Sequence, residues 1–287
     1  MRRFFENTKP GGQLLALFLI FVIFFIIANG ISVAAFLMGI QADSLGLQAF
    51  SQVVCFAGTA LAFAFLFADK PVAFLQLAGN RRMALSLLGA LLVMLSLVPL
   101  SDWLSNLNEG FHLPQRWAAL EQSLRDIEDL SQRTVEGLLL RDGAGVFCLN
   151  ILVLAILPAL CEELLFRGAL QQTLCRLFAN QHAAVWVTAA IFSLFHLEFF
   201  AFLPRFVLGV ALGYLFVYGK SIWINAFAHF VNNAAVVVMY AFVNAGKIDI
   251  SVAESFNSPW YLALASLALA AFFFYIFFLH KSRNKKI

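Results

Sequence analysis

Glu162, Glu163 and Arg167 place two adjacent carboxylates and a guanidinium inside a stretch of more than thirty otherwise apolar residues. An ionisable side chain at membrane depth is costly and marks a functional position by default. Helical geometry sorts the three charges. Glu163 and Arg167 stand i, i+4 with the acid on the N-terminal side, the favourable order for an ion pair. Glu162 lies about 100° further round the helix, and its own i+4 position is Phe166, which offers no charge. One carboxylate is thus neutralised within the helix and the other is left for a role outside it. The competing expectation is that both acids are structural and tie helices together. Pro158, one turn before Glu162, leaves the carbonyl of Leu154 without its helical donor and predicts a kink there.

Two further polar clusters interrupt apolar helices. Phe192-Ser193-Leu194-Phe195-His196 carries a histidine, and His229-Phe230-Val231-Asn232-Asn233 sets a histidine and an asparagine on one helix face at i, i+4. A desolvated carboxylate takes a proton from water and a neighbouring histidine shares that work. A second histidine and an amide donate to the oxyanion of a tetrahedral intermediate. The chemistry is therefore hydrolytic. Glu162, His196 and His229 also form a reasonable zinc set with an open fourth position for water. That alternative rests on residue types, because the sequence has no His-Glu-x-x-His motif. Along their helices His229 stands roughly 12 Å and His196 roughly 20 Å from the inner end. Kinks must absorb the mismatch.

Of 287 residues 62% are hydrophobic and only 12% charged, against about 25% in globular domains, which excludes a soluble fold. The expected fold is all-α, a polytopic membrane bundle of about eight helices, with spans near 14–40, 47–68, 83–100, 144–178, 183–197, 202–218, 221–243 and 260–279. The first is too long for a signal peptide and is read as uncleaved. Three parts follow. Residues 1–142 hold helices 1–3 and an acidic extracytoplasmic loop, in which 114–140 has the periodicity of an amphipathic helix lying on the membrane or lidding the bundle. Residues 143–245 hold the catalytic core, helices 4–7, and 246–287 the last helix and a basic tail. Eight spans put twelve basic residues at the inner end: Arg2, Arg3, Lys9, Lys70, Arg81, Arg82, Arg176, Lys220, Lys281, Arg283, Lys285 and Lys286. The six outer ones are Arg116, Arg125, Arg133, Arg141, Arg205 and Lys247. The positive-inside rule then makes both termini cytoplasmic, in a bacterial-type plasma (inner) membrane. No nucleic-acid patch is visible, and the cysteines read as small buried hydrophobes, Cys161 included. Asn225 and Asn232 are expected to bond helix to helix, and Glu198 and His182 to sit near span ends.

The ordered set Glu162-Glu163-x-x-x-Arg167, Phe192-x-x-x-His196 and His229-x-x-x-Asn233 on successive helices resembles the CPBP family. This family comprises CAAX prenyl proteases of type II and bacteriocin-processing, Abi-like proteins. Arg205-Phe206-x-x-Gly209-x-x-x-Gly213-Tyr214 and Gly219-Lys220-Ser221-Ile222-Trp223 add to the likeness, which covers about 150–241. The resemblance implies an eight-helix intramembrane endopeptidase whose site opens toward the cytosol. In it Glu162 and His196 activate water, His229 and Asn233 hold the oxyanion, and Glu163 and Arg167 support the geometry. It implies a peptide or protein substrate, lipid-modified or not, in contact with the bilayer. The expected mechanism is metal-free and without cofactor; zinc on Glu162, His196 and His229 is the alternative. A non-enzymatic bacteriocin-immunity or scaffold protein of the same family is the second expectation. A transporter with a Glu/His proton relay is a third, disfavoured by the absence of paired broken helices.

Overall fold

The computed structural model describes residue 5 and residues 8–39, 45–249 and 257–280. The basic residues Arg2, Arg3, Lys281, Arg283, Lys285 and Lys286, which carry half of the inner charge count, lie outside the described residues.

The described residues are all-helical. Long apolar helices follow one another as α1 (Pro10–Leu37), α2 (Leu45–Phe67) and α3 (Met83–Glu109). The amphipathic α4 (Ala118–Leu139) comes next, then α5 (Ala144–Phe178), the short α6 (Gln181–Phe195), α7 (Phe202–Gly219), α8 (Ile222–Asn244) and α9 (Trp260–Leu279). Among the described residues seven are long and apolar enough to cross a bilayer, where about eight spans were expected; α6, at 15 residues, is apolar but shorter than a span requires. The third expected span runs on past residue 100, because Pro99 sits in the first turn of a continuing helix, Val98–Glu109. A proline is tolerated there since that turn's N–H groups are unpaired anyway.

At 35 residues, α5 would measure about 52 Å if straight, well beyond a hydrocarbon core of about 30 Å. The helix is not broken at Pro158. Wider π-helical turns, Ile151–Ile156 and Leu164–Gln171, flank the α-helical segment Leu157–Glu163 that carries the glutamates. Such turns shift the register of side chains downstream and are frequent at functional positions.

Hydrogen bonds sort the loops onto two ends of the bundle. At one end, near Lys70, Arg81, Arg82 and Lys220, the segment 76–80 is stitched to the α7–α8 turn. Ile222 N donates to Gln76 O at 3.0 Å and Ser221 Oγ to Ala78 O at 3.0 Å. Trp223 Nε1 donates to Leu77 O at 2.8 Å. The acidic α4 lies at the other end, where Asn150 Nδ2 and Asn244 Nδ2 donate to the carbonyls of Leu138 and Leu139 (3.0 and 2.8 Å), which end α4.

The tightest approach that matters for the site is α6 on α7. A Cβ added at Gly213 would meet Val185 Cγ1 at 2.8 Å and Gln171 Oε1 at 3.0 Å, and one at Gly209 would meet Ala189 Cβ at 3.1 Å. Small residues four apart let two membrane helices close on each other without a hydrophobic drive. Because Val185 is branched and fully buried, it cannot swing aside. Gly213→Leu is expected to cost about 1–3 kcal/mol by forcing α6 and α7 apart. A lowered melting temperature in detergent would register it; an unchanged one would contradict this packing.

Candidate functional site

The middle of α5 is fully enclosed: every residue from Cys161 to Gln171 is buried. The ion pair forms where the i, i+4 spacing puts it, with Arg167 Nη1 donating to Glu163 Oε1 at 2.8 Å and both side chains wholly buried. Arg167 Nη2 donates to Gly209 O at 3.2 Å, and its guanidinium stacks over the Phe192 ring, 4.6 Å from the centroid. Glu163 is saturated by three side chains from two helices, α5 and α8. Besides Arg167 it receives His229 Nδ1 at 3.1 Å on Oε1 and Asn225 Nδ2 at 3.2 Å on Oε2. Asn225 also donates to Leu212 O at 2.6 Å, so it binds α8 to both α5 and α7. The expected helix-to-helix bonding of Asn225 is therefore present, and one of its partners is a site carboxylate that the sequence reading did not assign to it. Gln171 is a second unassigned contributor: buried, it donates to Gly213 O at 3.2 Å and ties α5 to α7.

Glu162 differs sharply from its neighbour. It is 6% exposed, and its Oε2 is buried without a hydrogen-bond partner. A buried carboxylate oxygen left unpaired is rare and costly. Phe192 lies between the two histidines. Its ring meets His196 edge-on at 4.9 Å and His229 at 5.8 Å, besides carrying Arg167. Asn233, one turn beyond His229, is half-buried, and its Oδ1 receives Asn232 Nδ2 at 3.2 Å.

The hydrogen bonds fix what the rings present. His229 Nδ1 faces a carboxylate and His196 Nδ1 faces Phe192 O at 2.8 Å. Both acceptors require N–H at Nδ1, so each neutral ring turns a basic Nε2 outward; Nε2–H exists only on the imidazolium. Among the described residues no three His, Cys, Asp or Glu side chains stand close enough together to hold one metal ion.

His196 caps α6 at the end where α4 lies. The next residue, Leu197, takes a left-handed backbone (φ +57) that stops the helix, and the loop behind it is clamped. Asn108, buried on α3, donates to Phe199 O at 3.1 Å and accepts from Leu203 N at 2.8 Å. On α4, Glu128 accepts from Phe200 N at 3.0 Å, Ser131 donates to Glu198 at 3.0 Å, and the Arg125 guanidinium covers the Phe200 ring at 3.7 Å. Glu198 also pairs with Arg205. Burial pushes the Glu128 carboxyl above the usual carboxylate range. The His112 ring, with the Leu113 amide and Arg125, holds the Glu121 carboxyl down at about 2. The lidding expectation for α4 thus acquires named contacts. Asn108→Ala is expected to strip protection from the Leu203 amide in hydrogen exchange while leaving α5 protected; unchanged exchange at Leu203 would contradict the clamp.

His196 thus sits at the α4 end of the bundle, opposite the Lys70 and Arg81 loops.

The fold and site together define an integral membrane protein with a buried acid–histidine centre. The model of one family, described as type II CAAX prenyl endopeptidase, Rce1-like, matches residues 144–235. The matched stretch spans α5 to the middle of α8 and holds every site residue above except the clamp residues on α3 and α4 and in the segment between them; it agrees with the CPBP resemblance carried by the motifs. It supports a CAAX-type intramembrane protease in general, acting on a peptide or protein substrate. No curated protein matches the chain, and no solved structure does.

Proposed function

We propose that the protein hydrolyses a peptide bond in a membrane-associated or lipid-modified polypeptide with water activated by Glu162, without a metal. The observation that carries this reading is the contrast between two adjacent carboxylates: Glu163 is bonded by Arg167, His229 and Asn225, whereas Glu162 keeps a buried, unpaired oxygen. A carboxylate not claimed by a cation is the group of the pair able to serve as general base toward a water held against it. Glu162 takes a proton from that water, with the outward Nε2 of His196 as its helper, and the hydroxide attacks the carbonyl carbon. The oxyanion is met by Asn233 and by His229 in its imidazolium form. The C–N bond then breaks as the proton passes to the leaving nitrogen, giving a carboxylate and an amine.

The buried Glu163–Arg167 pair cancels its own charge and leaves Glu162 free for the proton taken from water. Only an imidazolium His229 offers an Nε2–H to the oxyanion, since its Nδ1–H is bonded to Glu163. The proton held by Glu162 is the one passed to the leaving nitrogen.

The test uses purified protein in nanodiscs with a farnesylated peptide ending in a CAAX motif. Expected is cleavage that survives a chelator, is lost in Glu162→Gln and is lost in His196→Ala. Full activity in either variant would overturn the reading. Loss of activity on chelation, restored by Zn²⁺, would overturn its metal-free form and favour Glu162, His196 and His229 as ligands.

A further inference from the structure

Helix α4 carries three different stripes along its length. Successive residues turn by about 100°, so Glu121, Arg125 and Glu128 fall close to one line. These half-buried residues grip the link after α3 and the loop behind His196. Roughly a third of a turn away stand Gln122, Asp126, Asp129 and Arg133, all exposed. The remaining third holds Leu120, Ile127 and Leu130, which are 46%, 51% and 68% exposed. The two hydroxyls on that side ask nothing of water: Ser123 donates to Ala119 O at 3.0 Å and Thr134 to Leu130 O at 2.8 Å. A helix with only protein and water around it turns its apolar stripe to the protein. On α4 charged residues face the bundle, and the apolar stripe points away from both the bundle and the acidic side.

The level at which α4 lies says what meets that stripe. Leu138 O, near its end, is bonded by Asn150, which stands about 9 Å inside the start of α5 at Ala144. Leu139 O is bonded by Asn244, the last residue of α8. Arg125 Nη2 donates to the carbonyl of Glu109, the last residue of α3, at 3.4 Å. All three partners belong to helices long and apolar enough to cross the bilayer, so α4 lies level with the ends of three spans. A helix at that level meets the boundary between headgroups and acyl chains, into which interfacial helices sink their apolar face by about 5–10 Å.

We propose that α4 is bound to the bilayer surface through Leu120, Ile127 and Leu130, so that the lid holding the His196 loop is seated on lipid. One stripe grips the bundle, one meets water and one enters the membrane. The partner is an uncharged lipid surface. Within α4 the acids Glu121, Asp126, Glu128, Asp129 and Glu136 outnumber Arg125 and Arg133, so an anionic surface repels the helix. Burial of the apolar side chains supplies the attachment. Nothing in this seating depends on what the acid–histidine centre cleaves.

The test places a nitroxide-bearing amino acid at Ile127, Leu130, Asp126 or Asp129, one position at a time, in the full chain in phosphatidylcholine nanodiscs. Collision with oxygen, which gathers in lipid, is compared with collision with a water-soluble nickel chelate. Expected is an oxygen-to-nickel ratio at Ile127 and Leu130 several-fold above that at Asp126 and Asp129. Equal nickel access at all four positions overturns the proposal, because α4 then stands in water. Ile127 and Leu130 closed to both reagents overturn it as well and assign the stripe to protein, such as a second copy of the chain. The seating of the lid is read separately. Ile127→Asp with Leu130→Asp alters only exposed side chains and is expected to speed hydrogen exchange at the Phe200 amide, which Glu128 holds, several-fold in the same nanodiscs. Unchanged exchange at Phe200 overturns the claim that lipid seats the lid.

Discussion

Glu162→Gln is expected to abolish turnover and leave the fold at least as stable as before. General-base removal alone is worth about 10²–10⁴-fold, and no residual route is supplied by Glu163, whose oxygens are engaged by Arg167, His229 and Asn225. Stability should not fall, because Glu162 Oε2 makes no hydrogen bond that the amide would lose. Replacing a buried carboxylate by a neutral isostere removes a desolvation cost. Loss of activity with an equal or raised melting temperature marks a group kept for chemistry. A variant that unfolds would instead mark Glu162 as structural glue, the competing reading of the two acids.

Arg167→Ala is expected to do the reverse and remove the fold first. Its guanidinium is fully enclosed, pairs with Glu163, donates to Gly209 O and stacks on Phe192. Breaking a buried pair from one side leaves an uncompensated charge and costs about 3–5 kcal/mol. Here that charge is Glu163, which would retain only His229 and Asn225, so α5, α7 and α8 loosen together. The double variant Glu163→Leu with Arg167→Met should recover part of the loss, because no charge is stranded. It should not recover activity, since His229 then loses the carboxylate that orients its ring. Equilibrium unfolding in mixed micelles reads both effects. A single variant as stable as wild type would contradict the scaffold role of the pair.

Much of this was legible in the sequence because membrane helices are written in composition and charge is rare inside them. The Glu163–Arg167 pair followed from spacing, and the seven long apolar helices followed from hydropathy. Only the shortness of α6 sets it apart from the seven long apolar helices, and that short helix carries His196 at its end. What was not legible depends on rotations that spacing does not fix. Asn225 sits one turn before His229 and was assigned to helix bonding in general; its bond to Glu163 depends on how α8 turns against α5. The π-helical turns on either side of Leu157–Glu163 shift register by an amount that Pro158 alone does not announce. The clamp by Asn108, Glu128 and Ser131 joins segments 67–95 residues apart, and neither composition nor periodicity carries such long-range pairing. The tautomers of His196 and His229 became readable only once their Nδ1 partners were known.

The central claim, that Glu162 activates the water that cuts a polypeptide, is tested most directly by comparing peptide termini. Membranes from cells carrying wild type and Glu162→Gln, at matched expression, would be compared by mass spectrometry. The account predicts at least one peptide end that is present with wild type and absent with Glu162→Gln, and that end names the substrate. Identical termini in the two membranes, with the wild-type phenotype preserved, would contradict it and leave a protein that binds or scaffolds without cutting.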